Sequence, residues 1–137
     1  MEEKIKGILI DVEKGSFKVV EIEDTLKEYY RILNCDCIDI VTRYIGSSAS
    51  YKIILDDCGA IKFDSIPSAI DIDGNIHFYG NLFIVSYTTI SHKNIGYDDE
   101  IVLRSLDNDD IEYLQNFIYD AILKSNGRKI KVLTVIC

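Results

Sequence analysis

IHFYGNLFIVSYTT, residues Ile76 to Thr89, is the most strand-like stretch of the chain. From residue 82 onwards its side chains alternate between two faces, and both faces are largely apolar. A strand with two apolar faces is covered on both sides, so the pattern predicts a central strand of a sheet. Gly80 and Asn81 interrupt the run and mark either a bulge or the start of the strand proper.

The segments on either side of this stretch predict further strands and two helices. Asp24 is a good N-cap for a helix from Thr25 to about Asn34, because the apolar residues there recur at spacings of three and four. Asp107 or Asp109 is predicted to cap a second helix that runs to about Ser125. The predicted strands are Lys4–Val12, Phe17–Ile22, Cys37–Ile45, Tyr51–Leu55, the short piece Ala60–Phe63, Ile101–Leu106 and Arg128–Ile136.

The segment from Asp64 to Ile72 has a weak pattern. Pro67 argues against a central strand there, because proline has no backbone N–H to donate to a neighbouring strand. Ile66, Ala69 and Ile70 are instead expected to form one helical turn against the core.

Strands joined by short turns, together with two amphipathic helices, predict an α+β fold: a mostly antiparallel twisted sheet with two helices packed against it. A chain of 137 residues, 47% of them apolar, is expected to form a single domain over residues 1–137. The final strand follows a helix and is expected to add a parallel pairing or an edge. An exposed edge strand offers a route to homo-oligomers.

The net charge of −8 and the pI near 4.7 argue against a nucleic-acid duplex as the main partner, because phosphate backbones require a basic surface. A small nucleotide is still compatible with this charge, since one or two arginines hold a phosphate whatever the net charge is. No apolar run approaches the roughly 18 residues of a membrane span, and the amino terminus is not the basic start of a secretory signal. We therefore expect no membrane partner and a cytoplasmic location.

Four cysteines are too few for a disulfide framework in a chain of this length, which agrees with a reducing compartment. Cys35 and Cys37 lie on the same side of a predicted strand, where Cys58 and His77 could complete a zinc site. Zinc sites usually use CxxC or HxxxH pairs, and no second pair exists, so structural thiols are favoured over a metal. The turn Asp71–Asn75 lacks the further oxygen ligands of a calcium loop and is a hairpin turn instead. The sequence predicts no metal and no cofactor.

Recognisable catalytic motifs are missing from the sequence. G-x-S-x-G, a Walker loop, G-x-G-x-x-G and H-E-x-x-H are all absent. The two histidines, His77 and His92, are spread along the chain, and nothing singles out one carboxylate pair as a general acid and base. We therefore expect a protein that is not an enzyme.

The sequence has better-suited residues for binding a small ligand. A nucleotide requires aromatic rings for its base and arginine or lysine for its phosphate. A polar loop, Ser91 to Glu100, leaves the buried strand and is the first place to expect function. The predicted ligand-binding residues are Arg43, Tyr44, Tyr79, His92, Lys93, Asn94, Tyr97 and Arg104.

Within this set we expect one of the two arginines at phosphate, a tyrosine stacked on the base, and Asn94 at a polar edge of the ligand. A second interpretation stays open. In that interpretation the tyrosines are half-buried sheet residues, and the basic groups only balance an acidic surface.

Several short features together resemble a known family. They are the opening hairpin with its capped helix, the strand from Cys37, the acidic turn Asp56-Asp57-Cys58-Gly59, the Ile66-Pro67 step, the strand Gly80-Asn81-Leu82-Phe83-Ile84-Val85, and the Leu103 to Phe117 stretch in which a strand leads into a helix. Over about residues 4 to 120 the chain resembles the phage- and plasmid-borne family of domain of unknown function 3846. It departs from the family pattern in the longer polar loop after Ile90 and in the added strand from Arg128.

The resemblance implies a small accessory protein of a mobile element, and such proteins commonly counter host defence. Several kinds sequester a cyclic nucleotide or a cyclic ADP-ribose signal without cleaving it, which agrees with the missing catalytic motifs. We therefore expect a non-enzymatic anti-defence protein that binds a small nucleotide-like immune signal in the host cell cytoplasm. Two alternatives stay open: an acidic inhibitor that binds a host defence protein directly, and a hydrolase that acts on the nucleotide signal.

Overall fold

The computed structural model describes residues 3–47, 49–58, 66–90, 100–123 and 127–136. Within these ranges the chain forms strands and two short helices. In chain order they are β1 (Lys4–Asp11), β2 (Ser16–Glu23), α1 (Leu26–Leu33), β3 (Ile38–Ile45), β4 (Ala49–Asp56), β5 (Pro67–Ile70), β6 (Ile76–Tyr79), β7 (Leu82–Ile90), β8 (Glu100–Arg104), α2 (Asn108–Gln115), β9 (Ile118–Ile122) and β10 (Lys129–Thr134). The prediction of an α+β fold with two helices is confirmed.

The strands are divided between two sheets. The first sheet has the order β2-β1-β7-β4-β3, all its neighbours are antiparallel, and β8 pairs with the outer half of β7. The second sheet has the order β6-β5-β10-β9, and within it β5 and β10 run parallel. The final strand has the predicted parallel pairing, with Leu133 opposite Ala69, although it follows strand β9 and not a helix.

The two faces of the first sheet are buried against different layers. On one side, called the helix face, Leu9, Ile54 and Phe83 pack in a cluster with residues of α1. On the other side, called the sheet face, Ile53 and Ile84 pack with residues of the second sheet and α2. Successive side chains of a strand point to opposite faces. A strand that is central in this sheet therefore needs apolar residues at every position.

Strand β7 confirms the prediction of a central strand covered on both sides. It lies between β1 and β4, and its first four residues, Leu82–Val85, are fully buried. Gly80 precedes it with φ of +82°, a conformation that residues with a Cβ rarely adopt. This turn separates β6 in the second sheet from β7 in the first. Of the two interpretations of Gly80 and Asn81, the start of a strand is therefore right.

Helix α1 has a different N-cap from the predicted one. The cap is Thr25, whose Oγ1 accepts a hydrogen bond from the backbone N–H of Glu28 at 3.3 Å. Asp24 instead accepts a hydrogen bond from the hydroxyl of Tyr29. The prediction of Asp24 as the cap is wrong because the buried Tyr29 hydroxyl needs an acceptor. Burial and the Asp24 carboxylate together raise the pKa of Tyr29.

The helical turn predicted around Pro67 is also wrong. Residues Pro67–Ile70 form β5, which lies between β6 and β10. Proline is tolerated as the first residue of a strand. Its parallel partner β10 lies far along the chain, so the local sequence pattern does not predict this strand.

Helix α2 begins as predicted but ends well before residue 125. Asp107 accepts a hydrogen bond from the N–H of Asp110 at 2.8 Å, and the Asp110 carboxylate accepts one from the N–H of Asp107 at 3.1 Å. The helix ends at Gln115, and Ile118–Ile122 form β9, which pairs with β10. Isoleucine and tyrosine favour extended structure, and the neighbouring β10 supplies the hydrogen-bond partners. The predicted continuation of the helix is therefore wrong.

The β3–β4 hairpin is held at its tip by α2. The hydroxyl of Tyr113 donates a hydrogen bond to the carbonyl oxygen of Ile45 at 2.6 Å. Gly46 has φ of +70°, and a Cβ added to it would lie 2.2 Å from Tyr113 Oη. Only glycine satisfies both the conformation and the space. Helix α2 thus fixes the hairpin on the sheet face.

The turn predicted at Asp71–Asn75 is confirmed. Asp71 Oδ1 accepts hydrogen bonds from the backbone N–H groups of Asp73 and Asn75, each at 2.9 Å. The bond from Asn75 is the main reason that the pKa of Asp71 is lowered. The turn leads directly into β6.

The predicted strand piece Ala60–Phe63 lies outside the described residues. Neither helix in the described ranges is long and apolar enough to cross a membrane.

Candidate anion-binding site

Arg43 is directed toward the second sheet by the alternation of side chains along β3. Val41 and Ile45, two residues before and after it, pack into the core of the sheet face. Arg43 shares their side of the strand, and its half-buried side chain reaches the edge strand β6. It contacts His77 and Phe78 there. These three residues are called the Arg43 cluster.

Three contacts hold the guanidinium of Arg43. Its Nε donates to His77 Nε2 at 2.8 Å, and its Nη1 donates to the carbonyl oxygen of Thr42, also at 2.8 Å. Its Cζ lies 5.2 Å from the centre of the Phe78 ring, within the range of a cation–π contact. The His77 and Phe78 rings meet edge to face, with their centres 4.5 Å apart. The guanidinium is therefore held in one orientation.

His77 is neutral in this arrangement. Because its Nε2 accepts a hydrogen bond, the ring proton lies on Nδ1. Burial and, next, the positive charge of Arg43 lower the pKa of His77, while the Asp71 carboxylate opposes them. At neutral pH the positive charge of the cluster is therefore carried by Arg43.

No described carboxylate neutralises the charge of Arg43. Among the described residues, no Asp or Glu forms an ion pair with Arg43, whereas Arg31 on α1 pairs with Glu28 at 2.7 Å. A guanidinium carries five N–H groups, and Arg43 uses two of them, so three have no acceptor in the described part of the chain. A phosphate or carboxylate accepts two such N–H groups at once. The cluster is therefore suited to bind an oxyanion.

The two predicted tyrosines that the structure describes lie on different sides of Arg43. Tyr79 is half buried on β6, two residues beyond His77. Tyr44 directly follows Arg43 and therefore lies on the helix face, where 55% of its surface is exposed. Of these two rings, Tyr79 shares an edge strand with the cluster, and Tyr44 does not face it.

Arg104 lies in the first sheet, three strands away from Arg43. Strands β4 and β7 lie between β3 and β8, so the two backbones are three strand spacings apart, roughly 14 Å. Arg104 is exposed, and its Nε donates to Thr88 Oγ1 at 3.3 Å. Arg43 is bound toward β6 and Arg104 toward Thr88, so the two guanidiniums do not converge on one phosphate.

Four of the predicted residues, His92, Lys93, Asn94 and Tyr97, lie outside the described residues. Their assignment to the ligand stays a prediction.

His77 is the residue of the site that sequence reasoning missed as a partner of Arg43. The sequence suggests it only as a zinc ligand. Arg43 and His77 are 34 positions apart and belong to different sheets. No local spacing joins them, and the signal available is only that His77 precedes two aromatic residues in a strand.

Among the described residues, Cys35, Cys37 and Cys58 form no disulfide. In the same part of the chain, no group of three or more His, Cys, Asp or Glu side chains is placed to hold a metal ion. Cys37 Sγ lies 3.9 Å from Asp57 Oδ2, and partial desolvation together with this carboxylate raises the pKa of the thiol. A raised pKa favours the unreactive thiol over the thiolate.

A comparison with family models matches the chain to Domain of unknown function (DUF3846) over residues 5–115. The matched range runs from β1 to the end of α2, and it includes the whole Arg43 cluster. Strands β9 and β10 lie beyond it. No curated protein and no solved structure gives a match.

Proposed function

The chain belongs to the DUF3846 family, and we propose that it binds and sequesters a small nucleotide-like immune signal, of the cyclic oligonucleotide or cyclic ADP-ribose type, without cleaving it. The observation that carries this proposal is the Arg43 guanidinium, which is oriented by His77 and Phe78. The family description names no chemistry, so the support comes from this cluster.

The charge of Arg43 favours a phosphate as the bound group. The chain carries an excess of eight negative charges, yet none of its described carboxylates is paired with this half-buried guanidinium. Partial burial lowers the effective dielectric constant and strengthens an interaction with an anion. The bond to His77 restricts the side chain before a ligand arrives, which reduces the entropy that binding costs.

The rings beside Arg43 favour a ligand that also carries a base. Phe78 lies under the guanidinium, and Tyr79 is the next residue on the same edge strand. Aromatic side chains stack on nucleobases, and stacking is worth about 1–3 kcal/mol per base. A phosphate contact next to an aromatic surface is the combination that a nucleotide needs.

The anti-defence role rests on the mobile-element setting that the family resemblance implies. A protein that sequesters a signal needs affinity and no turnover. A cluster built from one guanidinium, one neutral imidazole and one phenyl ring supplies binding groups of this kind.

Native mass spectrometry of the purified protein with a panel of cyclic di- and trinucleotides and cyclic ADP-ribose isomers tests the proposal. We expect a complex with at least one of these compounds, and recovery of the intact compound after denaturation. A recovered compound of altered mass would instead establish a hydrolase. No complex with any of them would overturn the proposal and leave the acidic inhibitor of a host protein to be tested by pull-down at increasing salt.

Two matched variants test the site. Arg43→Gln removes the charge of the cluster, and Arg31→Gln makes the same chemical change at an exposed arginine of α1. We expect Arg43→Gln to weaken ligand binding at least about tenfold, as expected for loss of a charge-assisted hydrogen bond, and Arg31→Gln to leave it unchanged. Equal affinities of the two variants would show that the ligand binds elsewhere.

A further inference from the structure

Lys52 is a buried cation in the middle of an apolar strand. It is followed in β4 by Ile53 and Ile54, and only 8% of its surface is exposed. The alternation along β4 puts Lys52 on the helix face together with Ile54, on the opposite side of the sheet from Arg43. A buried ammonium is costly unless other groups replace the water that it loses.

The described groups that replace this water, a hydroxyl and an aromatic ring, are neutral. Lys52 Nζ donates a hydrogen bond to Thr42 Oγ1 on the neighbouring strand β3. It also lies 4.9 Å from the centre of the Tyr87 ring on β7, its neighbour on the other side. No described carboxylate pairs with it. An ammonium has three N–H donors, and Thr42 is the acceptor for one of them.

Two further hydroxyl groups lie on the same face of the sheet as Lys52. Tyr87 OH and Ser50 Oγ are 2.9 Å apart and share a hydrogen bond. Ser50 is paired with Tyr44 across the β3–β4 hairpin, so the exposed ring of Tyr44 lies at the rim of the same group. Hydroxyl hydrogens rotate and are able to donate to an anion that arrives between them.

We propose that Thr42, Ser50, Lys52 and Tyr87, called the Lys52 cluster, form a second binding site that takes the oxyanion of a small phosphorylated or carboxylated molecule. Lys52 supplies the charge, and the neutral donors are the hydroxyl of Thr42 and whichever of Ser50 and Tyr87 accepts the hydrogen bond between them. Thr42 is exposed, and Ser50 and Tyr87 are half buried, so the cluster borders on solvent around the buried Lys52. This site is separate from the Arg43 cluster and does not depend on the function proposed for it.

The alternative is a lysine kept only for packing, and the surroundings argue against it. Its cross-strand neighbour Val85 is fully buried, and the next residue of its own face, Ile54, belongs to the apolar core. A methionine would fill the same space without the cost of burying a charge. A charged side chain in this position is explained by an anion that binds to it.

Nuclear magnetic resonance of the full chain tests the proposal. The probes are inorganic phosphate and acetate, each titrated against sodium chloride at equal ionic strength, and the reporters are the Lys52 Cε and Tyr87 ring signals. We expect saturable shifts of both signals with phosphate, with acetate or with both, and the comparison of the two identifies the oxyanion. Shifts that match those in chloride with both phosphate and acetate would overturn the proposal.

Three variants make the result specific. In Lys52→Met, the Tyr87 shifts are expected to require at least about tenfold more phosphate or acetate. In Lys18→Met, which removes an exposed lysine of β2, they are expected to be unchanged. In Arg43→Gln they are also expected to persist, so failure at one cluster is distinguished from failure at the other. An unchanged titration in Lys52→Met would overturn the proposal.

Discussion

The helix face and the sheet face of the first sheet are alike around β7 and differ around β3 and β4. On both faces the residues of β7 from Leu82 to Val85 are fully buried in apolar clusters. On the sheet face, the edge is occupied by Arg43, whose partner is an imidazole nitrogen. On the helix face, the corresponding part holds the buried Lys52, whose partners are a hydroxyl and a phenol ring.

The difference between these partners determines whether the hydrogen bond of each cation depends on pH. An imidazole accepts a hydrogen bond only while it is neutral, so the hydrogen bond from Arg43 to His77 depends on pH. A threonine hydroxyl has no such dependence near neutral pH. The two cations share one property, the lack of a described carboxylate partner in a chain with a net charge of −8.

The largest expected effect comes from removing one large side chain from each face. Phe83→Ala opens a cavity on the helix face, and Leu82→Ala opens one on the sheet face. Both residues are fully buried, so we expect losses of about 3–5 kcal/mol and about 2–5 kcal/mol in the free energy of unfolding. Urea unfolding followed by circular dichroism measures both.

The exposed Thr89→Ala on the same strand is the control, and its effect is expected to be small. A loss below about 1 kcal/mol for Phe83→Ala alone would mean that α1 does not close the helix face.

A smaller effect of opposite sign is expected at Lys52. Lys52→Met removes a buried charge and keeps a flexible side chain of similar length. We expect the free energy of unfolding to rise by about 1 kcal/mol or more, because the cost of desolvating the ammonium disappears. The same unfolding experiment with Lys18→Met provides the exposed control.

A clear loss of stability in Lys52→Met would mean that the ammonium is satisfied in the folded protein. In that case it would not be available for an anion, and the contrast between the two faces would be weaker.

The smallest expected effect is a change of the free energy of unfolding with pH, which comes from His77 beside the sheet face. The pKa of His77 is lowered from its ordinary value of 6.5 by burial and by Arg43. The unfolded chain therefore binds a proton at this residue more readily than the folded chain does. The stability contributed by His77 is present above about pH 6.5 and is lost as the pH falls through that value toward the lower folded-state pKa.

Urea midpoints at pH 7.5 and pH 5.5, for wild type and His77→Gln, measure this dependence. We expect the wild type to lose more stability than the variant on acidification. In Arg43→Gln, the His77 pKa measured by nuclear magnetic resonance is expected to rise. An unchanged His77 pKa in that variant would show that the two side chains do not interact in solution.

Local sequence patterns were sufficient to predict hairpins and turns that join segments close together in the chain. The opening hairpin, the β3–β4 hairpin and the turn at Asp71–Asn75 join segments that are close in sequence, and all three are predicted correctly. The Asp107 cap is also a local feature, because its partner Asp110 is three residues away. Each of these depends on side chains and turns that the sequence displays directly.

Prediction failed where a distant strand overrides the local preference. Ile118–Ile122 fit a helical pattern in the sequence, but β10 pairs with them and makes them a strand. Pro67–Ile70 become a strand because β10 and β6 lie on either side. Backbone hydrogen bonds to a neighbouring strand outweigh a weak local propensity.

For the candidate sites, the sequence identified residue types, and the tertiary structure decided which of them meet. Arg43 was identified because arginine next to aromatic residues suits a phosphate. Its contact with His77 arises only when the edges of the two sheets come together. Lys52 escaped notice because a lysine in a strand ordinarily points to solvent, and only the packing of β3 and β7 on either side of β4 buries it.

The sequence by itself determined the α+β class, the central strand β7 and the acidic character of the chain, because alternation, turn residues and charge are local or additive properties. The division of the strands into two sheets, and the contacts of Arg43 and Lys52 on opposite faces of the first sheet, were decided only by tertiary structure. The physical reason is that burial and strand pairing depend on contacts between residues that lie far apart in the chain.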